Sequence, residues 1–329
     1  MIARLDLAAI NDLTKALPRL TQKPLAHLPY LTRDQVEAYW LNEITQNLAD
    51  ESSIAFVSRS SERINGLVVC SDSPWDTKVV GRRVAVIKHF SEADGIRDSE
   101  VLDDLLKEVV RHAARRGTEC LTCKVQALHC AGIHALERQG FFLMDTLLDF
   151  FFDASRTPIE TISVPKRLNG FRTRLAKSED LPEVLTVNEK AFARHFGRYH
   201  SDPNMPPETG AKVYDQWLRS SFEGWADWIL VAKVDDRIAG YAVWKKASAL
   251  EAKHSIDIAH CNLAGIDPDF SGQGLFTALI LEGMRMAQGF SKHLDGPAHV
   301  SNYPVHRAWL KLGWKITGVR HSFHKWLQG

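Results

Sequence analysis

The sequence predicts an α/β protein made of two copies of one fold, each a mixed central sheet flanked by helices. Three observations carry this. Strand and helix signals run α, β, β, β, α, β, α, β through the first half, and a similar alternation follows in the second. Ala135-Leu136-Glu137-Arg138-Gln139-Gly140-Phe141 lines up with Ala308-Trp309-Leu310-Lys311-Leu312-Gly313-Trp314; each ends a helix at a glycine suited to a left-handed cap and hands over to a strand. Finally, from Cys261 to Gln288 a short apolar run, Leu263-Ala264-Gly265-Ile266, turns at Asp267-Pro268, passes Ser271-Gly272-Gln273-Gly274 and enters a helix. Leu275, Phe276, Leu279, Ile280, Met284 and Ala287 give that helix its apolar rhythm.

In order, residues 5–20 and 32–48 read as helices. Thr32 and Gln35 form a capping box, and Val36, Trp40, Ile44 and Leu48 form the buried stripe. Strands follow at 54–58 and 66–70, a loop at Ser73-Pro74-Trp75-Asp76-Thr77, and a strand at 84–87. A helix at 100–115, the strand around Cys120, a short helix closing at Gly140 and a strand at 147–152 complete the half. Residues 154–169 hold two prolines and several Ser/Thr without periodicity, the signature of a linker between 1–153 and 170–329. The second half opens with a strand at 171–175 and a helix whose first turn is acidic (Ser178-Glu179-Asp180). The irregular stretch 196–203, a helix through Tyr214 and Trp217, and a hairpin turning at Asp235-Asp236 lead into the glycine loop. A strand to Val300, a helix from Val305 to Leu312 and a closing strand near 322–326 end the chain.

At 329 residues, 45% apolar and 25% charged, the chain is long enough for two ordinary soluble domains. A net charge of +1 gives no electrostatic case for nucleic acid or an anionic membrane as partner. No apolar run approaches a membrane span. Asp6 and Asp12 interrupt the N-terminal apolar stretch, unlike a signal peptide, so a cytoplasmic location is expected. Five cysteines do not suggest a disulfide framework. Cys120 and Cys123 form a CxxC, but on a strand positions three apart face opposite sides, so reduced thiols and no metal are expected.

A strand feeding a glycine loop and a helix N-terminus is suited to an anion, because loop amides and helix dipole converge on it. Pattern alone leaves a plain strand–turn–helix equally open. The loop is not a Walker loop, which needs Gly-Lys-Ser/Thr, nor a three-glycine dinucleotide fingerprint. The first half has no such loop; it offers Glu92, Asp94 and Asp98, which would repel a pyrophosphate.

The glycine stretch resembles motif A of the GCN5-related N-acetyltransferases, in which Gln/Arg-x-x-Gly-x-Gly/Ala binds the pyrophosphate of acetyl-CoA. Here the loop reads Ser271-x-x-Gly274-x-Phe276, with the central glycine kept. The whole chain is similar to a tandem acetyltransferase with a degenerate first domain. Within that superfamily it looks most like the TDP-fucosamine N-acetyltransferase group. The shared pieces are Trp75-Asp76 with Gly81, Leu136, Gly140-Phe141, Asp149, Ala191-Phe192-Ala193, Tyr214-x-Gln216-Trp217-Leu218, Asn302 and the terminal aromatic strand. Mycothiol synthases, also tandem, are a competing relative.

The resemblance implies a sheet whose fourth and fifth strands splay apart around acetyl-pantetheine. It places the cofactor on Leu263, Ala264, Gly265 and Ile266 of the fourth strand, and its pyrophosphate on Ser271, Gly272, Gln273, Gly274, Leu275 and Phe276. Asn302 would contact the cofactor arm, cap the next helix, or do both. The reaction implied is attack of a small-molecule primary amine, such as a nucleotide-linked amino sugar, on the thioester. The family's acid is a tyrosine on the helix after Asn302, and Trp309 stands there instead; an indole N–H donates a hydrogen bond but is no acid near neutral pH. Tyr303 or His306 would then substitute, the thiolate would leave unprotonated, or the protein would be a non-catalytic CoA-binding scaffold. Tyr199, His200, Asp202, Trp75 and Asp76 sit where acceptor-binding residues are expected. An acetyltransferase for another amine or a peptide is the other reading, and the oligomeric state is left open.

Overall fold

Both halves of the repeat form in the computed structural model, which describes residues 1–60, 63–96, 100–163, 170–193 and 195–327. The first half runs β1 (Ile2–Leu5), α1 (Ile10–Ala16), α2 (Arg33–Leu48), β2 (Ser53–Ser60), β3 (Arg63–Asp72), α3 (Pro74–Val80), β4 (Val84–Glu92), α4 (Glu100–Arg115), β5 (Cys120–Gln126), α5 (Cys130–Arg138) and β6 (Phe142–Asp153). The second runs β7 (Phe171–Leu175), α6 (Leu181–Phe192), α7 (Arg198–Ser201), α8 (Thr209–Ser220), β8 (Trp228–Val234), β9 (Arg237–Lys246), α9 (Ala249–Lys253), β10 (Ala259–Ile266), α10 (Leu275–Ala287), β11 (His293–His299), α11 (Tyr303–Lys311) and β12 (Lys315–Trp326).

Local signals explain most of these bounds. The Thr32/Gln35 capping box forms at the start of α2. Gly140 (φ +75°) and Gly313 (φ +87°) both take the left-handed conformation the aligned helix ends require. Two segments differ from expectation. Residues 2–5, expected to precede a helix from Leu5, pair as β1 on β2, leaving only 10–16 for α1. The stretch 73–77, expected as a loop, opens α3, with Pro74 in its first turn and Gly81 (φ +72°) just past its end; both helix signals are present in the sequence.

The two mixed sheets are joined edge to edge. A single sheet of twelve strands runs β1-β2-β3-β4-β5-β12-β6-β11-β10-β9-β8-β7. The halves exchange their last strands: β12 pairs with β5 of the first half, and β6 pairs with β11 of the second. The exchanged strands pair antiparallel with each other at the centre. Packing follows the exchange. Phe150 and Phe152 of β6 are buried in the second half's core against Trp309 and Trp314, while Phe323 of β12 is buried in the first half's core. Fully burying one such ring contributes roughly 1.5–3 kcal/mol. From the linker stretch, Ile159 is buried in the second half's core; residues 164–169, and Asp98, lie outside the described residues. Among the described residues no helix is long and apolar enough to cross a membrane.

Candidate active site

The site begins where two strands part. β10 and β11 run parallel and pair only at Ala259↔Leu294 and His260↔Asp295. At Asn262 a bulge shifts the register of β10 on β9, so Leu263 packs towards α6 and α8 while Ala264 and Ile266 pack towards α10. Beyond the bulge β11 stays on β6 through His299, and the facing backbone edge of Leu263–Ile266 is left open. Charge holds the apex of this splay. Asp295 takes His260 Nδ1 at 2.5 Å and His27 Nε2 at 3.1 Å. Burial opposes the charge on both partners, yet Asp295 drives His260 up to about 10 and is itself held well below the ordinary carboxylate range.

β10 ends in a short turn where Asp267 accepts from Asp269 N and holds Lys190 at 2.7 Å. Gly272 (φ +75°) and Gly274 (φ +88°) follow, Gly274 being the cap residue of α10. An L-residue there costs about 1–2 kcal/mol. A Cβ on Gly272 would meet nothing within 4 Å, so the loop surface is open, beside the donor groups that every helix N-terminus presents. This cradle fits an anion, and the open strand edge beside it fits an extended amide chain.

A cavity of about 450 Å³ extends from the splay. Cys261, Asn262, Leu263 and Ala264 of β10, Pro297, Ala298 and His299 of β11, and Phe276 of α10 form the splay side. Asn302, Val305 and Trp309 of α11 close one end. Asn302 also caps α11, its Oδ1 accepting from Val305 N at 3.4 Å. Trp309 is buried, stacked on Trp314 at 4.8 Å, with its indole N–H unpartnered. Gly296 makes room for it: a Cβ there would stand 2.6 Å from the Trp309 ring.

The opposite wall comes largely from the first half and from α7 and α8. Trp75 and Asp76 line it with Tyr199. Asp76 accepts from Tyr199 Oη at 2.6 Å and from Ser73 Oγ at 2.6 Å, with Arg198 at 3.5 Å. Four other expected residues lie elsewhere. Tyr303 is 63% exposed and points outside the cavity lining. His306 is buried away from the lining, its Nε2 on the His299 carbonyl at 2.9 Å and its ring tilted on Phe150, so it is corrected as the acid candidate. Asp202 is buried and committed to His324 Nδ1 (2.8 Å) and Trp326 Nε1 (2.9 Å), which fastens the α7 segment to β12. His200 packs on Tyr214 outside the lining. Asp202 and His200 therefore support the wall and do not face an acceptor. Cys120, Asp202 and His324 bring three potential ligand atoms within 4.8 Å of one another, but burial pushes the Cys120 thiol up to about 12, Asp202 Oδ2 is taken by His324 and Trp326, and Oδ1 accepts from Asn204 N. All five cysteines are free.

Sequence reasoning missed Lys124, Asp145, His195, Arg198, Asn262 and His299, all of which line the cavity. Burial pushes His195 down to about 4, helped by His200 and His299, and burial also lowers His299, so both imidazoles are neutral at ordinary pH. Asp145 accepts from Arg198 N at 2.8 Å through Oδ2, and its buried Oδ1 has no partner.

No family model matches the chain. Among curated relatives it is 19% identical to a spore coat polysaccharide biosynthesis protein of Bacillus subtilis over 81% of this chain and 86% of that protein. It is 28% identical to a mycothiol acetyltransferase of Actinosynnema mirum over 41% of this chain and 42% of the relative, and 26% identical to an uncharacterized N-acetyltransferase of Methanocaldococcus jannaschii over 44% and 59%. Solved structures match over the full length. A GCN5-related N-acetyltransferase from Sphaerobacter thermophilus has a TM-score of 0.65 at 12% identity, covering 100% of this chain and 96% of that one. A tandem protein of that fold from the clavulanic acid biosynthesis pathway has a TM-score of 0.58 at 12% identity, covering 100% and 99%. With the repeated fold, the splayed strands and the glycine loop in place, the chain has the fold of a tandem GCN5-related N-acetyltransferase.

Proposed function

We propose that this chain transfers an acetyl group from acetyl-CoA to the primary amine of a small molecule, with 170–329 holding the cofactor and 1–153 walling the acceptor. One observation carries the reading: an unpaired strand edge, Leu263–Ile266, leads straight into a positive-φ glycine loop at a helix N-terminus. Backbone groups of that edge would hold the pantetheine arm, and the amides from Ser271 to Phe276 would hold the pyrophosphate. Bound acetyl-CoA supplies an activated thioester. A β10 backbone N–H freed by the splay stabilises negative charge on the acyl oxygen. Neutral His299, at the cavity wall, takes the proton of the incoming amine on Nδ1, giving up the bond that nitrogen accepts from Ser301 N at 3.2 Å. Trp309 offers the departing sulfur a hydrogen bond and no proton, which suffices because a thiol of pKa about 8.5 leaves readily as thiolate. Trp75, Tyr199 and the Asp76–Arg198 pair give the acceptor an aromatic and a charged surface.

For the acceptor we favour a nucleotide-linked amino sugar. The support is the match along four-fifths of the chain to a protein named for polysaccharide biosynthesis. The test is CoA release from acetyl-CoA against a panel of TDP- and UDP-amino sugars, with a peptide control. Turnover of at least one amino sugar is expected. Acetyl-CoA binding without turnover of any amine would contradict the enzymatic reading and favour a scaffold.

A further inference from the structure

β5 carries Lys124 into the cavity from the first half. Lys124 stands opposite Ser322 of β12, and Ser322 stands opposite Asp145 of β6. Directly opposed residues share a sheet face, so the three form a row across the strands the halves exchange. Lys124 and Asp145 line the same cavity as Cys261, Leu263 and Ala264 of the splayed strand. Lys124 and the splayed strand therefore face one shared space, into which its flexible four-carbon stem can extend. The amine is free to do so. Lys124 has no hydrogen-bond or ion-pair partner among the described residues, whereas Arg198, also in the wall, is held on Asp76. Lys124 keeps more than a third of its surface open to solvent; crowding of its amine by the wall, together with Arg198 of α7 and Arg320 of β12, still lowers it from its ordinary value against the opposing Asp145 and Asp149 of β6. That lowering enlarges the fraction of nucleophilic free base relative to an ordinary surface lysine.

We propose that Lys124 is a self-acetylation site, modified on Nζ from acetyl-CoA bound in the splay of the same chain. This inference rests on the acetyl-transfer reading above. The Nζ lone pair attacks the thioester carbonyl carbon, a C–N bond replaces the C–S bond, and the proton lost by nitrogen ends on the departing sulfur. The products are acetyl-lysine and free CoA. The amide carries no charge for Arg198 and Arg320 to repel, and it occupies the acceptor end of the cavity. A chain starved of acceptor thereby switches itself off, through a residue of the half that lacks the glycine loop.

The test incubates the full chain with acetyl-CoA alone and maps acetylated peptides by mass spectrometry, with exposed Lys212 of α8 as internal reference. Acetylation of Lys124 is expected to saturate at the acetyl-CoA concentration that half-fills the site in calorimetry, and to quicken as pH rises through neutrality. Excess free CoA is expected to slow it at least tenfold while leaving Lys212 unchanged. Acetyl-CoA binding with Lys124 unmodified, or modified at a rate that never saturates, as for Lys212, would overturn the proposal alone. Absence of acetyl-CoA binding would overturn the acetyl-transfer reading and this inference with it.

Discussion

The two halves contain the same splay, and only the second leaves it open. In both, the fourth strand of the repeat carries a bulge, at Lys88 in β4 and at Asn262 in β10, and pairing with the parallel neighbour stops there. Val86↔Thr122 in the first half corresponds to His260↔Asp295 in the second. Beyond that point the wedges differ. In the first, residues 19–22 cover the free edge of β4: Leu20 bridges Ala93, Thr21 N donates to Glu92 O at 2.9 Å, and Gln22 N donates to Ser91 Oγ at 2.9 Å. Glu92 lies within the wedge on His129, 2.6 Å away, and Gly132 leaves space for the His129 ring. Glu92 was expected to repel a pyrophosphate as a free carboxylate; it is instead half of a buried pair that fills the wedge. His129 stands at the N-cap position of α5 with its side chain turned to Glu92, where Asn302 caps α11 through its side chain. A chain segment and an ion pair thus occupy in one half the space that we assign to a cofactor in the other.

Substitutions can break this comparison. The largest effect is expected from Phe150→Ala, which removes a fully buried ring where β6 enters the second half's core. Denaturant unfolding should show a loss of about 3–5 kcal/mol; a loss under about 1 kcal/mol would mean that the exchanged strand does not hold the core together. Glu92→Gln should cost about 1–3 kcal/mol by weakening the buried pair with His129, without creating a second acetyl-CoA site, because the first half has no glycine loop. A second binding event in calorimetry would show that the plug alone kept that wedge closed. Gly274→Leu should weaken acetyl-CoA binding at least tenfold, about 1.4 kcal/mol, through a side chain forced into a positive-φ turn beside the phosphate. An unchanged affinity would make the loop structural.

The smallest effect sharpens the contrast at the apex. His260 has an ordinary value of 6.5 and is raised to about 10; burial lowers it and Asp295 overcomes this. Its contribution to stability is therefore complete below about pH 6.5 and is lost as pH rises towards about 10. Asp295 is depressed, so its own contribution is lost only on acidification below the ordinary carboxylate range. Melting temperature should fall from neutral pH into the alkaline range, and His260→Gln should flatten that slope. Equal slopes for the two proteins would place the alkaline loss elsewhere.

What could be read in the sequence was local. The aligned helix ends, their left-handed glycines, the capping box of α2 and the glycine loop all depend on residues within a few positions. The strand exchange does not. β6 and β12 are equivalent strands of a repeat, β6 apolar and aromatic and β12 carrying Phe323 and Trp326 among polar and basic residues, and nothing within either says which half it will complete. Lys124 and Asp145 were missed for that reason, since only the exchange sets them beside a cavity bounded by β10. His306 was misread because helical spacing from Asn302 gives a face and not an orientation, and its ring turns to the His299 carbonyl. Tyr199, His200 and Asp202 share one short segment, yet the single turn α7 sends only Tyr199 to the cavity.

The central claim is that one wedge binds and the other is filled, and hydrogen exchange along the full chain, with and without acetyl-CoA, tests it most directly. The account predicts new protection at the backbone amides of 263–276, with 90–96 unchanged. Protection appearing at 90–96, or binding that leaves 263–276 as exchangeable as before, would contradict it.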